Sequence, residues 1–175
     1  SADRSRFVSA TRIAPTLQAA LDDWAAHAPA LAALAAQLDA GAIAGQDFDP
    51  AQALAPLPRA YQWIDGSGYL NHLDRVRTLK GSKDEELQST RPLLYQGGSD
   101  SFLAPTDPIT VTDPDLALDF EAEVAVIIGP VPMAADKAQA AAAIRLVTVC
   151  NDISLRRLVA DDLQNGFGFF HAKPS

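Results

Sequence analysis

The stretch Leu118-Asp119-Phe120-Glu121-Ala122-Glu123-Val124-Ala125-Val126-Ile127-Ile128-Gly129 sets two acids two positions apart inside an otherwise apolar, β-branched run. Such a run predicts a strand. Side chains on a strand alternate between its faces, so Glu121 and Glu123 share a face with Ala125 and Ile127 and are expected to point inward. Two partly shielded carboxylates at that spacing repel each other and lose hydration. Either their pKa values rise or a cation sits between them, and the cation is the less costly solution. An all-carboxylate site suits a hard, oxygen-loving divalent ion, Mg²⁺, Ca²⁺ or Mn²⁺, whereas zinc favours Cys or His. A half-exposed strand with alternating charges and no ion gives the same pattern, so the pair alone leaves both readings open.

The rest of the composition narrows the class. At 175 residues the chain is long enough for one domain with a core, or for a small domain plus part of a larger one. Its net charge of -8, with no basic stripe, argues against nucleic acid as a partner. No apolar run is long enough for a membrane span, and the N-terminus lacks the charged-then-apolar order of a secretory signal. These features predict a cytoplasmic protein with no membrane partner. The single cysteine, Cys150, rules out an internal disulfide, and its setting in Arg145-Leu146-Val147-Thr148-Val149-Cys150 is that of a small core residue.

Before the acidic strand, Leu17, Leu21, Trp24, Leu31, Leu34 and Leu38 recur near helical spacing. They predict one helix around 15–27, a break near Pro29 and a second helix around 29–40. Residues 41–58 hold Pro50, Pro56 and Pro58 and read as a linker, which divides the chain into an α-rich N-terminal region, 1–58, and a second region, 59–175. In the second region, residues 61–65 read as a strand, 66–68 as a turn and 69–80 as a helix. A charged loop is expected over 80–91, and a short strand over 109–112. An alanine-rich helix around 134–143 and a strand at 144–150 follow. The final residues, Phe169-Phe170-His171-Ala172-Lys173-Pro174-Ser175, read as the middle of a strand whose unpaired edge calls for more chain. The fold expected is α+β, with a small helical N-terminal region, a β-rich mixed roll and a truncated C-terminus.

At the end of the 144–150 strand stands Asn151-Asp152-Ile153-Ser154-Leu155-Arg156. Asp152 can supply a third hard oxygen beside the sheet, though Asn, Asp and Ser also serve there as caps. The order E-x-E, then about thirty residues on N-D-x-S-x-R, then a Lys after an aromatic-glycine run resembles the fumarylacetoacetate hydrolase superfamily. In that superfamily a metal is held by the E-x-E strand and by the Asp of the N-D-x-S-x-R turn. Asp65 and His72, seven residues apart, resemble its metal-binding Asp and general-base His, and Tyr95-Gln96-Gly97 resembles its Tyr-x-Gly. The resemblance spans roughly residues 60–175. It implies Asp65, Glu121, Glu123 and Asp152 as metal ligands, His72 as general base, and Tyr95, Arg156 and Lys173 as substrate or oxyanion contacts. Where the family has a substrate-contacting Gln, three positions after the Arg, this chain has Val159, so its substrate can differ. The Glu that orients the base in the family, and a Gly-Thr pair lining its pocket, would follow Ser175.

Charge arithmetic agrees with the metal reading. Four carboxylates and one divalent cation leave about two negative charges, which Arg156 and Lys173 can balance. Such an ion would polarise a 1,3-diketo acid, neutral His72 would take a proton from the attacking water, and Lys173 or Arg156 would stabilise the oxyanion. The expected partners are a small diketo acid and a second copy of the chain in a homodimer, with a missing C-terminal half completing the domain. Two alternatives stand beside carbon–carbon hydrolysis: decarboxylation, isomerisation or hydration of 2-oxo-enoic acids on the same scaffold, and a non-catalytic fragment.

Overall fold

The computed structural model describes residues 1–72, 74, 75, 92–98, 101–166, 168 and 171–173. It holds both helices and strands, and the chain divides into two compact units. The first gathers Ser1–Pro58, Phe102–Ile109 and Ala122–Asn151; the second gathers Arg59–Ser101, Thr110–Glu121 and Asp152–Ser175.

In the first unit a short antiparallel pair, β1 (Arg6–Phe7) and β2 (Gln46–Asp47), flanks two helices, α1 (Leu17–Asp22) and α2 (Trp24–Asp39). Thr16 caps α1 by accepting the Ala19 N–H at 3.0 Å. The helices part at Asp23, and α2 runs through Pro29, where a break was expected. Proline removes one backbone donor, but the alanines on either side favour helix strongly enough to carry α2 past it. Trp24, Leu31, Leu34 and Leu38 form its half-buried stripe. The same unit holds the longest ladder, in which β6 (Ala122–Ile128) pairs antiparallel with β7 (Ile144–Asn151) across α3 (Lys137–Ala142). Asp136 and Gln139 close a capping box on α3. Along β6 the alternation is as expected, with Glu123, Ala125 and Ile127 half-buried and Val124, Val126 and Ile128 exposed. Cys150 is exposed rather than in the core, because a two-stranded ribbon cannot cover both of its faces.

The second unit positions most of the candidate residues. β3 (Ile64–Ser67) pairs with β4 (Leu93–Gln96), setting Asp65 opposite Tyr95. Gly66, expected in a turn, lies within β3; helical backbone is present at 70–72 and 74–75, and the loop expected over 80–91 falls outside the described residues. β5 (Leu118–Asp119) pairs with β8 (Ser154–Leu155), which leads directly into α4 (Arg156–Gln164). The single strand expected across 118–129 is therefore two, because the chain changes ladder partner between Asp119 and Ala122. The strand expected at 109–112 is irregular chain, lying between the Ala104–Asp107 turn and a 3₁₀ turn at Pro114–Leu116. Residues 171–173 form a turn where a strand was expected. Gly166, at φ 72, follows α4, and the buried Ala172 accepts the Leu155 N–H at 2.8 Å, which brings the turn at 171–173 onto β8.

Candidate active site

Asp152 follows the last residue of β7, and its backbone N–H donates to the Glu121 carbonyl at 2.9 Å. That bond ties the Asp of N-D-x-S-x-R to the first Glu of E-x-E. Asp65, projecting from β3, brings a carboxylate oxygen within 4.8 Å of one on Asp152. Burial pushes the Asp65 carboxyl above its ordinary range; Asp152 and Glu121 push the same way, while Lys173 and His72 pull it back. Burial likewise raises Asp152, against the hydrogen bond and charge of Lys173. Asp65, Glu121 and Asp152 thus feel one another's charge.

Two cations face these acids. Lys173, its side chain 7% exposed, donates to Asp152 Oδ2 and, at 2.6 Å, to Ser154 Oγ. Its ammonium lies 4.0 Å from Glu121 Oε1. Arg156, at the start of α4, contacts Glu121 Oε1 through Nη2 and Asp119 Oδ2 through Nε at 2.8 Å. Its backbone N–H donates to Ala117, held at φ 54. Asp119 and Ser154 were not singled out by sequence reasoning. Ser154 is the serine of N-D-x-S-x-R, and the alternation that marks Glu121 leaves Asp119 on the same face two residues earlier, which is the signal that would have found them.

The remaining candidates are placed as follows. Glu123 is half-buried on β6, opposite Cys150 in the first unit's ladder. His72 is exposed in the helical backbone after β3, near enough to Asp65 for its charge to be felt. The Tyr95 ring is buried, meets Trp63 edge-on at 5.8 Å between centroids, and has Gly168 beside its Cδ2 and Cε2 atoms. Burial and the charges of Asp152, Asp162 and Asp65 hold its hydroxyl above its ordinary pKa. Val159 is half-buried one turn beyond Arg156 on α4. His171, exposed in the turn before Lys173, lies 3.2 Å from Asp162.

Residues 1–59 match the family described as fumarylacetoacetase N-terminal domain 2, and residues 62–175 match fumarylacetoacetate (FAA) hydrolase C-terminal. The chain belongs to the fumarylacetoacetate hydrolase family. No curated protein matches it. Members of this family are generally enzymes, with hydrolase- or decarboxylase-type activity on the scaffold, and they typically use a divalent metal.

The residues of this fumarylacetoacetate hydrolase family member fit such an ion. Asp65 and Asp152 offer hard oxygens whose burial and mutual repulsion a divalent cation would relieve. Lys173 engages Asp152 through Oδ2, leaving Oδ1 for the ion. Within the second unit, Asp65, Asp119, Glu121 and Asp152 against Arg156 and Lys173 leave a formal charge of about two negatives, the amount one divalent ion balances. Among the described residues no helix is long and apolar enough to cross a membrane.

Proposed function

We propose that this protein is a divalent-cation-dependent hydrolase that cleaves a carbon–carbon bond in a 1,3-diketo acid of the fumarylacetoacetate or acylpyruvate type. The observation that carries this reading is the convergence of Lys173 and Arg156 on the acids around Asp65 and Asp152, cationic oxyanion partners beside a hard-oxygen donor set. Asp65, Glu121 and Asp152 would hold the ion, and Glu123, two residues after Glu121 in E-x-E, is proposed as the fourth ligand. Bound there, the cation supplies Lewis acidity, making a chelated carbonyl more electrophilic and favouring departure of the enolate.

The chain's own groups do the rest. His72, reachable from solvent, takes a proton from the attacking water through an imidazole nitrogen, the task of a general base. Lys173 and Arg156 stabilise the oxyanion with donors already in place. Tyr95 lines the substrate side of Asp65. The catalytic region is taken as residues 59–175, a β-rich roll preceded by the α-rich 1–58, in a cytoplasmic homodimer. Val159, apolar where a substrate-contacting Gln was expected, favours a second reading, decarboxylation of an oxaloacetate-like acid on the same scaffold.

The full chain, incubated with an acylpyruvate and Mg²⁺, Mn²⁺ or Ca²⁺, should consume the enol absorbance and release two acids, dependent on the ion. His72→Ala should lower that rate by on the order of 10²–10⁴. Turnover of oxaloacetate alone would select the second reading, and a rate indifferent to both the ion and His72 would overturn the first.

A further inference from the structure

We propose that Ser154 is a positioning residue: its hydroxyl holds the Lys173 ammonium apart from Glu121 and aims it at the substrate oxygen. The inference rests on the hydrolase reading for the identity of that oxygen, but not for the hydroxyl's contacts. Ser154 is fully buried, at 0% exposure, so no water competes for its oxygen. Its Oγ lies 2.6 Å from Lys173 Nζ and 3.0 Å from Glu121 Oε1, and those two charged atoms are 4.0 Å apart.

The proton count fixes the direction of each bond. An ammonium only donates and an ionised carboxylate only accepts, so the hydroxyl accepts from Lys173 and turns its single proton toward Glu121 Oε1 at 3.0 Å, the Asp152 carbonyl at 3.3 Å being the longer second acceptor. The backbone holds it there, because Ser154 sits opposite Asp119 in the β5–β8 ladder and its neighbour Leu155 bonds to Ala172, one residue before Lys173. Two of the three ammonium protons are thereby committed, to Asp152 and Ser154, and the third is the one a substrate oxygen takes.

Without the hydroxyl, a donor and an acceptor 4.0 Å apart in a shielded site close to a direct ion pair, a movement of about 1 Å. The ammonium then spends its third proton on Glu121 and shifts away from the reacting centre. A misplacement of that size costs up to about a hundredfold in rate. The loss falls on kcat rather than KM, because the oxyanion develops only in the transition state.

The test uses the full chain carrying ¹⁵N-lysine. It contains four lysines, and the Lys173 ammonium resonance is assigned by its disappearance in Lys173→Arg. Ser154→Ala and Ser154→Cys should both shift that resonance and lower kcat by roughly 10- to 100-fold with KM changed less. Ser154→Thr, which keeps the hydroxyl, should restore both readings. The cysteine variant, close to serine in size, keeps the test usable if threonine disturbs folding, and thermal melts confirm that each variant is folded. A Lys173 resonance unmoved in the alanine and cysteine variants would overturn the inference whatever the activity. A shifted resonance with unchanged kcat would overturn the positioning role. Absence of turnover in the unsubstituted chain, with the resonance shifting as stated, would remove the hydrolase reading and leave the serine–lysine link standing.

Discussion

The Lys173 ammonium is seated on the Asp152 carboxylate, and both side chains are only 7% exposed. A pair so shielded is a poor source of net stability, since each ion has given up its hydration to reach the other. Its value lies in placement. Asp152 is held by its backbone bond to Glu121, Lys173 by the turn whose Ala172 bonds to Leu155, and the pair joins these two segments of the second unit.

Breaking that pair should cost far more than the pair itself contributes. Lys173→Met leaves Asp152 charged, shielded and without its cation, and we expect a loss of about 3 kcal/mol in unfolding free energy at neutral pH. The double variant Lys173→Met/Asp152→Leu, which removes both charges, should recover most of it. Urea melts of the two variants decide the matter: a loss below about 1 kcal/mol in the single variant would mean that water already reaches the pair.

A second prediction concerns the platform beneath Asp65. Gly97 follows β4 and donates its N–H to the Trp63 carbonyl at 3.2 Å, and a Cβ added there would overlap the Trp63 indole. Gly97→Ala should therefore push Trp63 away from Tyr95, loosen the β3–β4 pair and destabilise the chain by about 1–3 kcal/mol. Tryptophan fluorescence and thermal melts would report both effects. An alanine variant with unchanged emission and melting would show that the indole moves aside freely.

How much of this was legible beforehand depends on the range of the interaction. The half-buried face of Glu123, Ala125 and Ile127 and the strand-end place of Asp152 follow from alternation and from residue types next to each other in sequence. The partner change between β5 and β6 does not, because nothing local to Phe120 says that β8 will arrive opposite Asp119 while β7 takes Ala122. The same holds for Lys173. Its aromatic-glycine surroundings suggest a strand, whereas residues 171–173 turn and Ala172 bonds to Leu155, seventeen residues away, a contact that nothing local announces. In the N-terminal helices the proline signal at 29 misplaced the break, since the helix propensity of the flanking alanines outweighed it.

Removing either second-unit acid should weaken cation binding selectively. Asp65→Asn and Asp152→Asn each delete one negative charge from the oxygen set, and we expect Mn²⁺ affinity to fall at least about tenfold in each. Asp119→Asn should have a smaller effect, because its contact is to Arg156 and its side chain is half exposed. Calorimetric titration of the three variants would rank them. Asp119→Asn as damaging as Asp65→Asn would place the ion elsewhere.

The last prediction joins the acids to pH. Asp65 and Asp152 are both raised, first by burial, so in the ion-free chain the folded form keeps their protons to a higher pH than the unfolded form does. Where the folded state binds more protons, stability falls as pH rises. The decline should begin at the unfolded carboxylate value, near about pH 4, and continue until both folded carboxyls have ionised. A bound divalent cation acts in the reverse sense, since it competes with those protons and stabilises the folded form by an amount that grows with its affinity. The difference in melting temperature with and without millimolar Mg²⁺ or Mn²⁺, at matched ionic strength, should thus be near zero at the acid end and widen toward neutrality. Asp65→Asn should flatten that widening. An increment equal at every pH would mean that the cation binds groups other than these two carboxylates.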